Sequence, residues 1–97
     1  MIVLLIGGDE SKQSARKAAL QAAGFRTLLA QNMDDAWRKL DGFDIGAIII
    51  DHALVDHEDA KQFGRRYITL RLQENTPAEE TVLELANLFC KGPQTLQ

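Results

Sequence analysis

The chain has 97 residues and a mass of 10.8 kDa, which leaves room for one compact domain and none for a second domain that closes over a substrate. Hydrophobic residues make up 45% and charged residues 26%, a composition typical of a globular protein and not of a disordered chain. The 14 acidic and 11 basic side chains give a formal charge of −3, which argues against nucleic-acid binding.

Cysteine content and apolar run lengths exclude further classes. The single cysteine, Cys90, cannot form an internal disulfide or a cysteine-based metal site, and we interpret it as a packing residue. The longest apolar runs, residues 2–6 and 47–50, are too short to span a bilayer, and the N-terminus lacks the features of a signal peptide. The sequence therefore predicts a soluble, cytoplasmic protein that binds no membrane.

Apolar runs alternate with helical patterns along the chain. The runs predict strands at residues 2–6, 25–30, 44–51 and 67–72, each followed by a helix. The last strand alternates apolar and polar residues, as expected of an edge strand. In the first helix we expect Ser11 to cap and Gly24 to stop the helix. The stripe expected to face the sheet consists of Ala15, Ala18, Ala19 and Ala22.

The other helices carry comparable signals. The second is predicted to start at Asn32 and end at Gly42, and the third to start at Asp56 and end at Gly64. The fourth begins with a capping box made by Thr76, Pro77 and Glu79, and it ends at residues 91–93. Its predicted inward stripe consists of Val82, Leu85, Ala86 and Phe89.

This order of elements predicts a flavodoxin-like α/β fold, a three-layer sandwich with helices on both faces of a parallel sheet. We expect four strands in the order 2-1-3-4 within a single domain covering residues 1–97. In such folds ligands bind where the carboxyl ends of the strands meet the following loops. This rim is expected to include residues 7–9, 30–32, 51–55 and 73–76.

Asp51 is the first candidate functional residue. It follows three consecutive isoleucines, so a rigid strand delivers its carboxylate to the rim. Such a position suits a nucleophile for phosphoryl transfer or a metal ligand. A carboxylate that caps the next segment fits the same position equally well.

Two other groups carry weaker signals. The Gly7-Gly8 turn allows a backbone approach to an anion, although a tight turn between strand and helix is the favoured interpretation. Two histidines stand among carboxylates in a polar stretch that suits a transition metal, but their spacing matches no common ligand pattern and favours a solvated loop. These residues are His52, Asp56, His57, Glu58 and Asp59.

Residues 2–55 resemble a receiver domain of two-component response regulators. The match rests on the apolar first strand, the acidic turn, Gly24-Phe25, and the run from Phe43 to Asp51 that is similar to the family's third strand. The resemblance implies that Asp51 is the phosphoacceptor, with Mg²⁺ held by Asp9, Asp51 and the Ala53 carbonyl.

The chain also departs from the receiver pattern. Gly7 and Gly8 occupy the positions where receivers have an acidic pair, so the resemblance implies a weakly held Mg²⁺. The C-terminal part is shorter than a receiver by about one strand and helix, and residues 67–91 align with either the fourth or the last such unit. The candidate switch residues are Thr69, Thr76 and Arg71.

From these observations we expect a degenerate pseudo-receiver that acts in signal transduction through protein–protein contact, without catalytic residues. The implied partners are a histidine kinase, a phosphotransfer domain or an output domain, bound at the rim around Asp51 and at residues 67–90. The uncovered edge strand also favours a homodimer. One alternative is a competent Mg²⁺-dependent receiver phosphorylated on Asp51. Another is a small-molecule or anion-binding module that uses Gly7 and Gly8.

Overall fold

A computed structural model describes residues 2–7, 9–54, 58–73 and 76–95, with side chains as far as Leu88. Gly8, Asp56, His57 and the side chains of Phe89 and Cys90, on which predictions were made, lie outside this range. The elements, in chain order, are β1 (Ile2–Ile6), α1 (Glu10–Ala22), β2 (Arg26–Ala30), α2 (Met33–Gly42), β3 (Ile45–Ile50), a 3₁₀ turn (His52–Leu54), α3 (Glu58–Arg66), β4 (Ile68–Arg71) and α4 (Ala78–Thr95).

The four strands form one parallel sheet in the order β2-β1-β3-β4. This order, with helices between the strands, confirms the flavodoxin-like α/β prediction. β1 and β3 occupy the centre because their apolar residues are covered on both faces, and Leu4, Ile48 and Ile50 are each fully buried. The carboxyl ends of β1 and β3 lie side by side, with Ile6 in register with Ile50.

Two apolar cores lie on opposite faces of the sheet. On one face, α2 and α3 contribute Ala36 and Phe63, and the Phe63 ring lies 4.7 Å from that of Trp37. On the other face, Leu20 of α1 and Leu85 of α4 pack against β1, β3 and β4. Within the described ranges, no helix has the combination of length and hydropathy that a bilayer crossing requires.

Several helix ends match their sequence signals. The Asn32 side chain accepts a hydrogen bond from the Asp35 N–H at 2.9 Å, which confirms it as the cap of α2. Gly24 follows α1 with φ +96°, the left-handed conformation predicted for its stop. The cap of α1 was predicted wrongly: Asp9, not Ser11, accepts from the Lys12 N–H at 2.7 Å.

The predicted stops of α3 and α4 are also wrong. α3 continues past Gly64 to Arg66, because Phe63 is anchored in the core and its carbonyl accepts from the Tyr67 N–H. α4 begins at Ala78 and runs to Thr95, through the predicted stop at 91–93. A proline removes one helical hydrogen bond and does not have to end a helix. The predicted capping box at the start of α4 is replaced by a different contact. The Thr76 hydroxyl bonds to the backbone N–H and carbonyl of Gln73, in the segment that precedes the helix.

The buried faces of α1 and α4 differ from the predicted stripes. Ala15, Ala18 and Ala22 are exposed, whereas α1 buries Gln13, Arg16 and Leu20. Alanine favours a helix on any face, so an alanine stripe does not by itself identify the inward side. In α4, Leu85 is buried as predicted and Val82 is half-buried, but Ala86 is exposed and Thr81 takes an inward position.

The orientation of α1 can be tested by two substitutions. Leu20→Ala is expected to lower the free energy of unfolding by about 2–5 kcal/mol, because it leaves a cavity in a fully buried site. Ala18→Gln is expected to change it by less than about 0.5 kcal/mol, because Ala18 faces solvent. Urea unfolding measures both values. A large loss for Ala18→Gln would show that the alanine face packs against the sheet.

Candidate functional site: a buried ion pair at the sheet rim

The main chain places Asp51 at the carboxyl rim of the sheet. Its N–H donates to the Ile6 carbonyl at 3.0 Å, which extends the pairing of β3 with β1 by one residue. Asp51 is 6% exposed, so its carboxylate lies inside the rim and not on its surface. The sequence correctly predicted the position on the strand, but not this degree of burial.

The carboxylate of Asp51 forms a buried ion pair with Arg16 of α1. Arg16 Nη1 lies 2.8 Å from Asp51 Oδ1, and the two side chains are 6% and 8% exposed. An N–O distance this short is typical of a charge-assisted hydrogen bond. The positive charge nearest to Asp51 is therefore a guanidinium supplied by the chain itself.

The second carboxylate oxygen of Asp51 is also engaged. The Ala53 N–H donates to Asp51 Oδ2 at 3.1 Å, and the Leu54 N–H donates to the Asp51 carbonyl at 3.0 Å. These bonds start the 3₁₀ turn, so Asp51 caps the next segment, as one of the two sequence interpretations expected. Among the described residues, no buried side-chain nitrogen or oxygen lacks a hydrogen-bond partner.

Opposing effects act on the pKa of Asp51. Burial by itself raises the pKa, but the hydrogen bonds from Arg16 and Ala53 and the positive charge of Arg16 outweigh it. The pKa of Asp51 is therefore lower than the ordinary value of an aspartate, and the ion pair remains charged at neutral pH.

Gln13 provides a second polar connection between α1 and the rim. Gln13 Nε2 donates to the Ala30 carbonyl at 3.0 Å, and the Gly7 N–H donates to the same carbonyl, also at 3.0 Å. Gln13 is 7% exposed, so this bond is sheltered from water. Gln13 therefore holds α1 at the end of β2, while Arg16 holds it at the end of β3.

Gly7 is a packing position in the turn between β1 and α1. Its backbone φ is +80°, a value that residues with a side chain rarely adopt. A Cβ added there would lie 2.5 Å from Leu54 Cδ1. Leu54 thus fills the space beside Gly7, which supports the interpretation of a tight turn. Gly8, the other residue of the expected anion-binding turn, is outside the described residues.

Two of the three groups implied as magnesium ligands have other bonds in this structure. The Asp9 side chain caps α1, and the Asp51 carboxylate binds Arg16. The third implied ligand is the Ala53 carbonyl, and the N–H of the same residue donates to Asp51. In the described part of the chain, no group of three or more His, Cys, Asp or Glu residues is placed to hold a metal ion. His52 begins the 3₁₀ turn and is exposed, while Glu58 and Asp59 lie in the first turn of α3.

The three candidate switch residues lie on or after β4. Thr69 and Arg71 are in register with Ile48 and Ile50, and the Thr69 hydroxyl donates to the Tyr67 carbonyl at 3.1 Å. The Thr76 hydroxyl bonds to Gln73. Arg71 thus stands beside the residue that precedes Asp51, and the hydrogen bonds to the Asp51 carboxylate come from Arg16 and Ala53.

Arg16 and Gln13 are the residues that the sequence interpretation missed. Leu20 is the single large hydrophobic residue of α1, and Arg16 and Gln13 precede it by four and seven positions. This spacing places all three on one face of a helix. The face that carries the leucine was therefore the signal that could have identified them.

The fold and the rim together define a flavodoxin-like α/β sandwich in which an arginine–aspartate pair joins the first helix to the third strand. Comparisons with protein-family models, with curated proteins and with solved structures give no match for this chain.

A double-mutant cycle tests the Arg16–Asp51 pair. Arg16→Met is expected to lower the free energy of unfolding by about 3–5 kcal/mol, because it leaves Asp51 as an uncompensated buried charge. Adding Asp51→Asn to this variant is expected to restore part of the loss, giving a coupling energy above about 1 kcal/mol.

The matched control for this cycle is the Lys39–Asp35 pair on α2. Its distance is similar, 2.9 Å, but its side chains are 26% and 30% exposed. The cycle of Lys39→Met and Asp35→Asn is expected to give a much smaller coupling energy than the buried pair, because water screens exposed charges. Equal couplings in the two cycles would contradict the special role of the buried pair.

The pKa of Asp51 predicts how the stability of Arg16→Met depends on pH. In the wild type the folded pKa is lowered, so the stability that the pair contributes is present above the unfolded pKa of about 3.9 and is lost as pH falls through the folded pKa. In the variant, burial remains and raises the folded pKa, so protonation stabilises the folded state. The stability difference between wild type and variant is therefore largest at neutral pH and shrinks on acidification.

Urea unfolding over a pH series measures this difference. Arg26→Met, which removes an exposed arginine from β2, is the control and is expected to show a difference from wild type that is nearly constant with pH. A constant difference for Arg16→Met as well would show that Arg16 does not control the ionisation of Asp51.

Proposed function

We propose that this protein is a receiver-like signal-transduction module, a degenerate pseudo-receiver that acts through protein–protein contact and not through phosphoryl transfer. The observation that carries the proposal is the buried Arg16–Asp51 pair at the rim. The proposal also rests on the resemblance of residues 2–55 to receiver domains, in which Asp51 stands at the phosphoacceptor position.

The environment of Asp51 supports a structural role for its carboxylate. A nucleophilic carboxylate needs an oxygen that a phosphoryl donor can reach. Here Oδ1 accepts from Arg16, Oδ2 accepts from the Ala53 N–H, and the residue is 6% exposed. A phosphoryl donor would have to reach a carboxylate that is almost completely buried and is already paired with a guanidinium.

The same contacts support the proposal that the rim keeps one shape without phosphorylation of Asp51. Arg16 joins α1 to β3, Gln13 joins α1 to β2, and Leu54 fills the space beside Gly7. Buried polar networks in which every member is bonded hold one arrangement of their elements. A partner would therefore meet a constant surface at the rim.

The proposed partners are proteins of a phosphorelay: a histidine kinase, a phosphotransfer domain or an output domain. The contact regions are the rim around Asp51 and residues 67–90, where Ile68 and Leu83 are 42% and 64% exposed. The formal charge of −3 supports proteins over nucleic acid.

Incubation with acetyl phosphate and Mg²⁺ tests the proposal. The expected result is no acid-labile phosphoryl group on the intact protein by mass spectrometry, because the Asp51 carboxylate is buried and paired with Arg16. A receiver of known competence in the same mixture verifies the reagent. An adduct that disappears in Asp51→Asn and persists in Asp44→Asn, an exposed aspartate before β3, would instead establish a competent receiver.

A further inference from the structure

The outer edge of β4 has backbone groups that no described strand pairs with. β4 is the last strand of the order β2-β1-β3-β4. The Leu72 N–H donates to the Ile50 carbonyl of β3, and successive residues of a strand direct their N–H and C=O groups to opposite edges. The N–H and C=O groups of Thr69 and Arg71 therefore point away from β3.

Arg71 of this edge lies beside the basic residues of α3. Arg71 reaches from β4 to α3, where its Nη2 lies 3.5 Å from the position of a Cβ added to Gly64. Lys61 precedes Gly64 by three residues and Arg65 by four, so these positions are neighbours on one helix surface. The basic edge is defined as Lys61, Arg65, Arg66 and Arg71, all of which are exposed.

The basic edge is not neutralised by the described residues of the chain. The two ion pairs found among them are Arg16–Asp51 and Lys39–Asp35, which leaves each member of the basic edge without one. Lys61, Arg65 and Arg66 also line a shallow depression on α3, together with Gln62 and a single carboxylate, Glu58. A protein with a formal charge of −3 thus has, beside the open edge of β4, a group of cations with no ion-pair partner among the described residues.

We propose that the basic edge and the outer edge of β4 bind an acidic, extended segment of a partner protein, which adds to the sheet as a further strand. This inference rests on the proposed function, since it specifies which kind of partner segment the module contacts. Main-chain bonds to Thr69 and Arg71 would hold the segment, and its carboxylates would bind the four cations.

Charge decides between this partner and a second copy of the chain. Pairing of two β4 edges would bring two basic edges together, and like charges across an interface oppose association. Charged side chains on an edge strand are a common protection against such self-pairing. The carboxylates of an acidic segment are attracted to the same cations, so the charge of the edge favours an acidic partner.

The test uses a defined probe, a fluorescently labelled and capped peptide of sequence Glu-Thr-Glu-Val-Glu-Thr-Glu, with its Lys-for-Glu counterpart as the charge control. Fluorescence anisotropy with the wild-type protein is expected to show binding of the acidic peptide and none of the basic one. The double substitution Arg65→Ala and Arg71→Ala is expected to weaken binding at least roughly tenfold. Arg26→Ala, which removes an exposed arginine from the opposite edge strand, β2, is expected to leave it unchanged.

Amide hydrogen exchange separates strand addition from simple charge attraction. With the acidic peptide bound, exchange at the Thr69 and Arg71 amides is expected to slow, while the Leu70 and Leu72 amides, which already face β3, change little. Binding without this alternating protection, an equal loss of affinity in Arg26→Ala, or absence of binding would each overturn the inference. If the wild type self-associates and Arg71→Ala strengthens this self-association, the charges only protect the edge against self-pairing. That result would also overturn the inference.

The outcome is independent of the phosphorylation experiment. A phosphoryl group on Asp51 would refute the proposed pseudo-receiver function without altering the exposed cations of the basic edge. Absence of peptide binding in a protein that also resists phosphorylation would refute the strand addition alone.

Discussion

The buried contact between Arg16 and Asp51 is the constraint on which the carboxyl rim of this protein depends. Removing two charges from water is costly, and their attraction offsets this cost when the geometry is good and the remaining atoms are bonded. Both conditions are met here, with a 2.8 Å ion pair and a backbone N–H on the second carboxylate oxygen. Removing one partner is therefore expected to lower the free energy of unfolding by more than the intact pair contributes to it.

The composition of α1 explains why a polar contact has this role. Its buried face contains one large apolar residue, Leu20, together with Gln13 and Arg16. Apolar packing alone therefore holds α1 weakly at the end where the strands finish. The two polar side chains compensate by bonding to the ends of β2 and β3, so the helix is held in one orientation at the rim.

Two regions of different character result from this arrangement. The rim is internally bonded, and the charge of its buried carboxylate, Asp51, is balanced by Arg16. The edge formed by α3 and β4 has the opposite property, because its cations and its outer backbone groups have no partner among the described residues. The proposed contact function needs a stable frame and an accessible surface, and the two regions supply one each.

The sequence by itself determined the fold class and the position of Asp51 at the end of β3, because continuous apolar runs and helix caps such as Asn32 are local signals. The position of Leu20 in the sequence indicates the inward face of α1, but the pairing of Arg16 with Asp51 required the tertiary structure. Alanine gives no preference between faces, whereas Arg16 becomes an inward residue only when folding places Asp51, thirty-five positions later in the chain, within bonding distance. The energy of a buried charge depends on its partner in space, and that partner is not encoded in the residues next to it.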